Sequence, residues 1–285
     1  MKRTILALTM VFMIICTSVE VQAAKKSDDW ISKSLIDYEP LQNLLLEYPD
    51  ASKVEDKTSY ILDVTTKNSK GDILKKEKKT FSNLEDMETY VAVSENEIVP
   101  YSIEHGETAY KTYTKMRVGL TLYKYSSSYY FVAFVYEWLT PPSTSAFTNM
   151  TEGVVGLALD TGLSMDGSSY AGRLTINYWD HTETRTNSNG GLSIQATGTQ
   201  GIGYPFSFYN PNKYADSAEG VISCKAYKQA PNFEYVSAYG EYADVSMTLD
   251  LDNFSVSIPA GISFNLATSK TSYSIQDTLT VKDLY

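Results

Sequence analysis

The residues able to do covalent or metal chemistry are scarce in this chain. Its two histidines, His105 and His181, lie far apart, and neither falls in the short ligand spacing of a zinc or iron centre. A catalytic thiol needs a histidine beside it, and the run Val221-Ile222-Ser223-Cys224-Lys225-Ala226 offers none, so Cys224 reads as a small buried hydrophobe. Asp244, Asp250 and Asp252 supply oxygens, yet their spacing matches no calcium loop and suits a solvated strand face. The string Gly198-Thr199-Gln200-Gly201-Ile202-Gly203 lacks the lysine and following helix of a phosphate loop and reads as a loop or bulge. No serine occupies a nucleophile elbow. No cofactor is expected. Carboxylate chemistry is the exception, because a glycosidase-like acid pair assembled from distant strands leaves no linear trace.

Leu157-Ala158-Leu159-Asp160-Thr161-Gly162 resembles the apolar strand and Asp-Thr-Gly of aspartic proteases. That mechanism needs two such carboxylates sharing a proton. The chain holds one copy, with Leu163 where that family places a small or hydroxyl residue, so a strand-ending turn is expected.

A recognition surface is the better prospect. Over Arg173-Leu174-Thr175-Ile176-Asn177-Tyr178-Trp179-Asp180-His181, strand alternation that turns Leu174, Ile176 and Tyr178 inward turns Asn177, Trp179 and His181 outward. An exposed indole among amides and hydroxyls can stack on the apolar face of a pyranose. Tyr204, Tyr209 and Tyr214 are candidates to extend that surface. A phase slip of one residue would instead place Trp179 in the core.

These residues must be positioned by a β framework. Before Tyr113 the chain is rich in lysine and glutamate, with a short helix expected at 41–47 between Pro40 and Pro49. Segments 60–65 and 73–81 flank Asn68-Ser69-Lys70-Gly71-Asp72, a hairpin turn in which glycine can take positive φ. Lys75, Lys76, Lys78 and Lys79 suit a solvated face that blunts edge pairing. Beyond Tyr113, Met116, Val118, Leu120 and Leu122 alternate with polar residues, and segment 129–136, apolar on both faces, reads as a central strand covered on both sides. Further strands are expected at 154–159, 171–179, 192–197, 204–208, 221–227, 235–242, 245–258, 262–267 and 273–281. The fold class expected is mainly β, an antiparallel β-sandwich or barrel-like domain with a short N-terminal helix. The organisation expected is a leader at 1–23, a helix-plus-hairpin region at 24–112 and a sandwich region at 113–285, the last two able to share one sheet.

The leader is read from Met1-Lys2-Arg3, an apolar core from Ile5 to Cys16 and Val21-Gln22-Ala23, with cleavage expected after Ala23. The core is roughly a dozen residues against the ~20 of a spanning helix. Met13, Ile14 and Ile15 exclude the small residue that lipidation at Cys16 would require. Cleavage would take the formal charge from -10 to -11 and leave Cys224 as the remaining cysteine, without an intramolecular disulfide. Such acidity argues against nucleic-acid binding and against attraction to anionic lipid. The expectation is an exported, non-enzymatic binding or interaction protein at or beyond the cell surface, its partner a glycan or a cell-surface protein. Two alternatives stand beside it. Alternation from Val245 to Leu266 around Pro259-Ala260-Gly261 fits a membrane-inserting hairpin of a pore former, and scattered carboxylates leave room for a hydrolase.

Overall fold

The computed structural model describes residues 29–96, 109–140, 152–160, 162–197, 200–207, 215–229, 235–245 and 271–282. The segment 1–23, expected to be a leader, Tyr209, Tyr214 and nearly all of the alternating segment 245–266 lie outside them.

Two short helices, α1 (Trp30–Ser34) and α2 (Glu39–Glu47), precede a long strand β1 (Ser52–Asn68), its partner β2 (Ile73–Phe81) and a third helix α3 (Leu84–Glu95). Then follow β3 (Ala109–Lys124), β4 (Tyr129–Trp138), β5 (Glu152–Leu159), β6 (Leu163–Met165), β7 (Ala171–Tyr178) and β8 (Thr182–Thr186). The chain continues through β9 (Gln195–Thr197), β10 (Gly201–Ser207), β11 (Ala215–Lys228), β12 (Tyr235–Val245) and β13 (Thr271–Lys282). The fold is mainly β, with all pairings antiparallel among the described strands, and it forms two sheets. One is an 8-stranded sheet in the order β2-β1-β3-β4-β11-β7-β8, with β6 added beside β11; the other runs β13-β12-β5-β10-β9. Strands from both sides of Tyr113 meet in the larger sheet, where β1 pairs with β3 from Ser52↔Lys124 to Asn68↔Ala109.

Alternation decides what lies between the sheets. Even positions of β3, β4 and β7, among them Leu120, Phe134 and Ile176, meet Val155, Leu157, Ile202 and Tyr204 of the smaller sheet in one core. The odd positions of β4, Phe131, Ala133 and Val135, pack beneath Trp30, Ile31, Tyr38, Leu41 and Leu44 of the N-terminal helical segment. The strand expected to be covered on both faces is therefore covered by a sheet on one and by helices on the other. At α2, Pro40 sits in the first turn, where its missing N–H costs nothing, and Leu41 and Leu44 turn inward one turn apart.

The hairpin between β1 and β2 closes as expected. Gly71 has φ 88°, and the Asn68 side-chain oxygen accepts from Lys70 N and Asp72 N at 3.0 and 2.9 Å. The lysine-rich β2 is the edge strand of the large sheet. Other elements differ from the expectation, among them the short strands β6 and β8, which fall in no expected strand, and β9, which begins at Gln195 where a strand was expected from 192. Helix α1 and helix α3 were not anticipated, and the strand expected at 171–179 ends at Tyr178, with Trp179 in the following turn. Asn83 caps α3 by accepting from Asp86 N at 2.8 Å, and Met87 and Val91 bury against Tyr60, Leu62 and Val64 of β1.

Asp160 behaves as a turn residue. Its side chain accepts from Gly162 N at 2.9 Å just after β5, as a strand-ending turn requires. Cys224 is fully buried in the core between the sheets, and burial pushes its thiol far above the ordinary range.

Candidate functional site

The β7–β8 hairpin places the residues singled out in the sequence. Leu174, Ile176 and Tyr178 face the core, while Arg173, Thr175 and Asn177 face outward and half-buried. Tyr178 N donates to His181 O at 2.9 Å, closing a tight turn with Trp179 and Asp180 at its tip. Trp179 is 72% exposed, so its indole belongs to the surface and not to the core. Beside it, His181 is held twice, by its Nδ1 against Asp180 Oδ1 at 2.6 Å and by its ring stacked on Tyr178 with centroids 4.9 Å apart. Asn177 is fixed by donating to Ser217 Oγ at 3.0 Å and accepting from Thr182 Oγ1 at 2.9 Å.

Tyr204 does not extend this surface. It has no exposed area and sits between the sheets, its hydroxyl 2.7 Å from that of Tyr136 and 3.3 Å from the carbonyls of Arg173 and Val221. Its position on β10, opposite Val155, sends the ring inward, and burial drives its hydroxyl pKa well up. Tyr209 lies outside the described residues.

The register of the large sheet brings together residues that no linear motif joins. Arg117 of β3 stands opposite Glu137 of β4, Glu137 opposite Glu219 of β11, Glu219 opposite Thr175 of β7 and Thr175 opposite Thr184 of β8. Two residues along the strands the next rung continues with Ser217, Asn177 and Thr182. Together they form a polar strip on the outer face, beginning beside α1 and running to the Trp179 turn. From Arg173 to Trp179 this spans six residues of near-extended chain, about 20 Å.

At the α1 end the strip deepens into a cleft of about 370 Å³ lined by Trp30, Lys33, Ser34, Ile36 and Asp37 of the N-terminal segment and by Arg117, Glu137, Arg173 and Glu219 of the sheet. Both arginines are already engaged. Arg117 donates through Nε to Glu137 Oε2 at 2.6 Å and lies over the Trp30 ring, 4.5 Å from its centroid. The indole Nε1 of Trp30 in turn donates to Thr58 Oγ1 at 2.8 Å. Arg173 donates to Asp37 Oδ1 at 2.7 Å and to Ser34 O at 2.6 Å. The half-buried carboxylate of Glu219 has no hydrogen bond or ion pair among the described residues. Burial raises its carboxyl above the usual glutamate range, with Glu137 and Asp37 adding to the rise and Arg173 and Arg117 opposing it.

Sequence reasoning did not assemble this cleft. Glu137, Glu219 and Asp37 carry no motif, and only pairing across strands, together with the position of α1, makes them neighbours. Among the described residues no group of three His, Cys, Asp or Glu is placed to hold a metal ion, and no helix is long and apolar enough to cross a membrane.

No known family matches the chain, and no curated protein matches it. Solved structures with a similar arrangement include the collagen-binding domain of a Staphylococcus aureus adhesin, at 7% identity and TM-score 0.31, over 54% of this chain and 88% of that one. The collagen-binding subdomain of the Enterococcus faecalis surface protein ACE matches at 9% identity and TM-score 0.30, over 53% and 87% of the two chains. The C-terminal domain of the Streptococcus agalactiae AgI/II polypeptide BspA matches at 8% identity and TM-score 0.31, over 67% and 81%. Likeness at these TM-scores assigns no partner, and the functional reading rests on the chain's own site.

Proposed function

We propose that this is an exported, non-enzymatic carbohydrate-binding protein whose contact face is the polar strip of the large sheet, with Trp179 at one end. The exposure of Trp179, 72% on a turn whose neighbours are pinned by hydrogen bonds, carries the reading. An exposed indole offers an apolar plane to a sugar ring, while Asn177, Ser217, Thr175, Thr182 and Thr184 offer amide and hydroxyl groups to sugar hydroxyls. The leader at 1–23 supports export, and the formal charge of -10 supports a neutral or cationic ligand over a nucleic acid.

The test is a glycan array probed with the purified chain and with Trp179→Ala. Retention on one class of glycan, lowered about tenfold or more in the variant at an unchanged unfolding midpoint, is the expected result; a drop of that size corresponds to an aromatic contact of ~1.4 kcal/mol or more. Equal retention of the two proteins refutes Trp179 as the contact.

The cross-strand neighbours Glu137 and Glu219 favour a second reading, a carboxylate-based hydrolase. Against it stands the ion pair that ties Glu137 to Arg117 at 2.6 Å. Release of the aglycone from chromogenic glycosides, lost in Glu219→Gln, would replace the binding reading with this one.

A further inference from the structure

We infer that the cleft end of the strip selects a glycan carrying a free amine, with the ammonium group of an amino sugar seated on the carboxylate of Glu219. This rests on the carbohydrate reading and names the class of sugar that the face takes.

The inference starts from the charge pairing inside the cleft. Arg117 is matched by Glu137 at 2.6 Å and Arg173 by Asp37 at 2.7 Å, and Arg173 spends its second terminal nitrogen on the Ser34 carbonyl at 2.6 Å. Glu219 lies between these pairs on β11, opposite Glu137 on one side and Thr175 on the other. Lys33 also lines the cleft but makes no ion pair with Glu219, so Glu219 is the carboxylate of the cleft left without a side-chain hydrogen-bond donor or ion-pair partner among the described residues. A half-buried carboxylate in that position gains most from a ligand that brings both a positive charge and hydrogen-bond donors. An ammonium brings three donors. A sugar hydroxyl brings one and no charge, and an N-acetyl group brings a bulky neutral amide.

The surroundings favour an amino sugar over a bare cation or a lysine side chain. A bare metal ion needs more oxygen ligands than Glu219 supplies, and among the described residues no such group exists. A lysine side chain would use the cleft but not the hydroxyl- and amide-lined strip that leads from it through Thr175, Ser217 and Asn177 to Trp179. The strip's length of about 20 Å accommodates a short oligosaccharide, with one amine in the cleft and one ring on the indole. The protein's net charge of -10 also raises the local concentration of a cationic glycan.

The test is titration of the purified chain, at near-neutral pH and physiological salt, with a short glucosamine oligosaccharide and with its N-acetylated counterpart of equal length, followed by calorimetry. The expected result is binding of both, with the free amine form on the order of tenfold tighter, as one added charge-assisted hydrogen bond implies. Glu219→Gln removes the difference between the two sugars. Glu85→Gln, which deletes an equal charge from the exposed first turn of α3, keeps it. Trp179→Ala weakens both sugars alike. The inference is overturned if the N-acetylated sugar binds as well as the amine to the unaltered chain, or if Glu219→Gln keeps the preference. It is also overturned if Glu85→Gln loses the preference as fully as Glu219→Gln, which would reduce it to net charge. Binding of an oligolysine of matched length as tightly as the amino sugar, lost in Glu219→Gln, overturns it in favour of a cationic peptide. Failure of both sugars to bind is a different outcome, since it removes the carbohydrate reading itself. The far-ultraviolet spectrum and urea midpoint of each variant establish that the comparison is between folded proteins.

Discussion

Gly240 of β12 lies over Phe134 of the opposite sheet, and a Cβ placed there would overlap the ring of that residue. Phe134 is fully buried and flanked by the Tyr136 ring with centroids 6.3 Å apart, so it has little room to yield. Gly240→Ala should therefore destabilise the fold by about 1–3 kcal/mol, the usual cost of overpacking a methyl group. Phe134→Ala should cost about 3–5 kcal/mol through lost burial and a cavity. The two changes meet at one point in space. In the double variant the alanine methyl at 240 occupies part of the space vacated by the ring, so the pair should cost less than the sum of the singles by about 0.5–3 kcal/mol. Urea unfolding followed by tryptophan fluorescence gives all three values, and thermal midpoints should fall in step by about 2–4 °C per kcal/mol. A neutral Gly240→Ala, or single effects that add, would show that β12 does not cross Phe134, and the sandwich arrangement would have to be redrawn.

Three further outcomes follow from local features. Cys224, fully buried with its thiol pKa driven up, should resist a thiol-specific reagent in the native protein and react on unfolding; rapid native labelling would contradict its placement. Asn83→Ala removes the cap on Asp86 N and should cost about 1 kcal/mol, read from the urea midpoint, whereas Asn83→Asp should hold most of it. For Glu219 the folded pKa lies above the unfolded value of about 4.3, so the native state keeps the proton over a window in which the unfolded chain has lost it, and stability falls as pH rises through that window. Glu219→Gln should flatten that part of the stability profile, and a profile unchanged by the substitution would show that the carboxyl is freely solvated.

Much of the framework was legible because burial writes itself into alternation. Segment 129–136 is apolar at every position, and from Tyr130 onward the structure covers it twice, between the core and the N-terminal helices. The inward set Leu174, Ile176 and Tyr178 could be read for the same reason, and with it the outward phase of Asn177. Helix α3 was harder to see. Its buried Met87 and Val91 form a narrow stripe, while Val93 is 58% exposed, so the apolar periodicity is blurred; the Asn83 cap and the acids Glu85 and Asp86 were the signal available. Tyr204 was misplaced because its neighbours Gly203 and Pro205 carry no strong apolar phase, leaving the direction of its ring to the pairing with β5. The cleft was invisible for a deeper reason. Its acids and arginines come from positions 37, 117, 137, 173 and 219, and strand register together with the position of α1 makes them neighbours.

The boundary of the helical cover gives the polar strip its significance. On one rung of the large sheet Gly119, Val135 and Val221 stand side by side, and Val135 and Val221 lie beneath the N-terminal helical segment. On the next rung the same three strands carry Arg117, Glu137 and Glu219. The change from apolar to charged occurs in all three strands at once, at the line where the helices stop. Solvation alone would be met by threonines, as it is on β7 and β8, where Thr175 faces Thr184. Structural ion pairing would be met by Arg117 with Glu137 and Arg173 with Asp37, both complete without further acids. Glu219 belongs to neither pair, and burial without a donor pushes its carboxyl pKa upward against the opposing pull of Arg173 and Arg117. A half-buried carboxylate without a donor, at the inner end of a strip whose outer end holds an exposed tryptophan, is the group on which the proposed glycan binding depends.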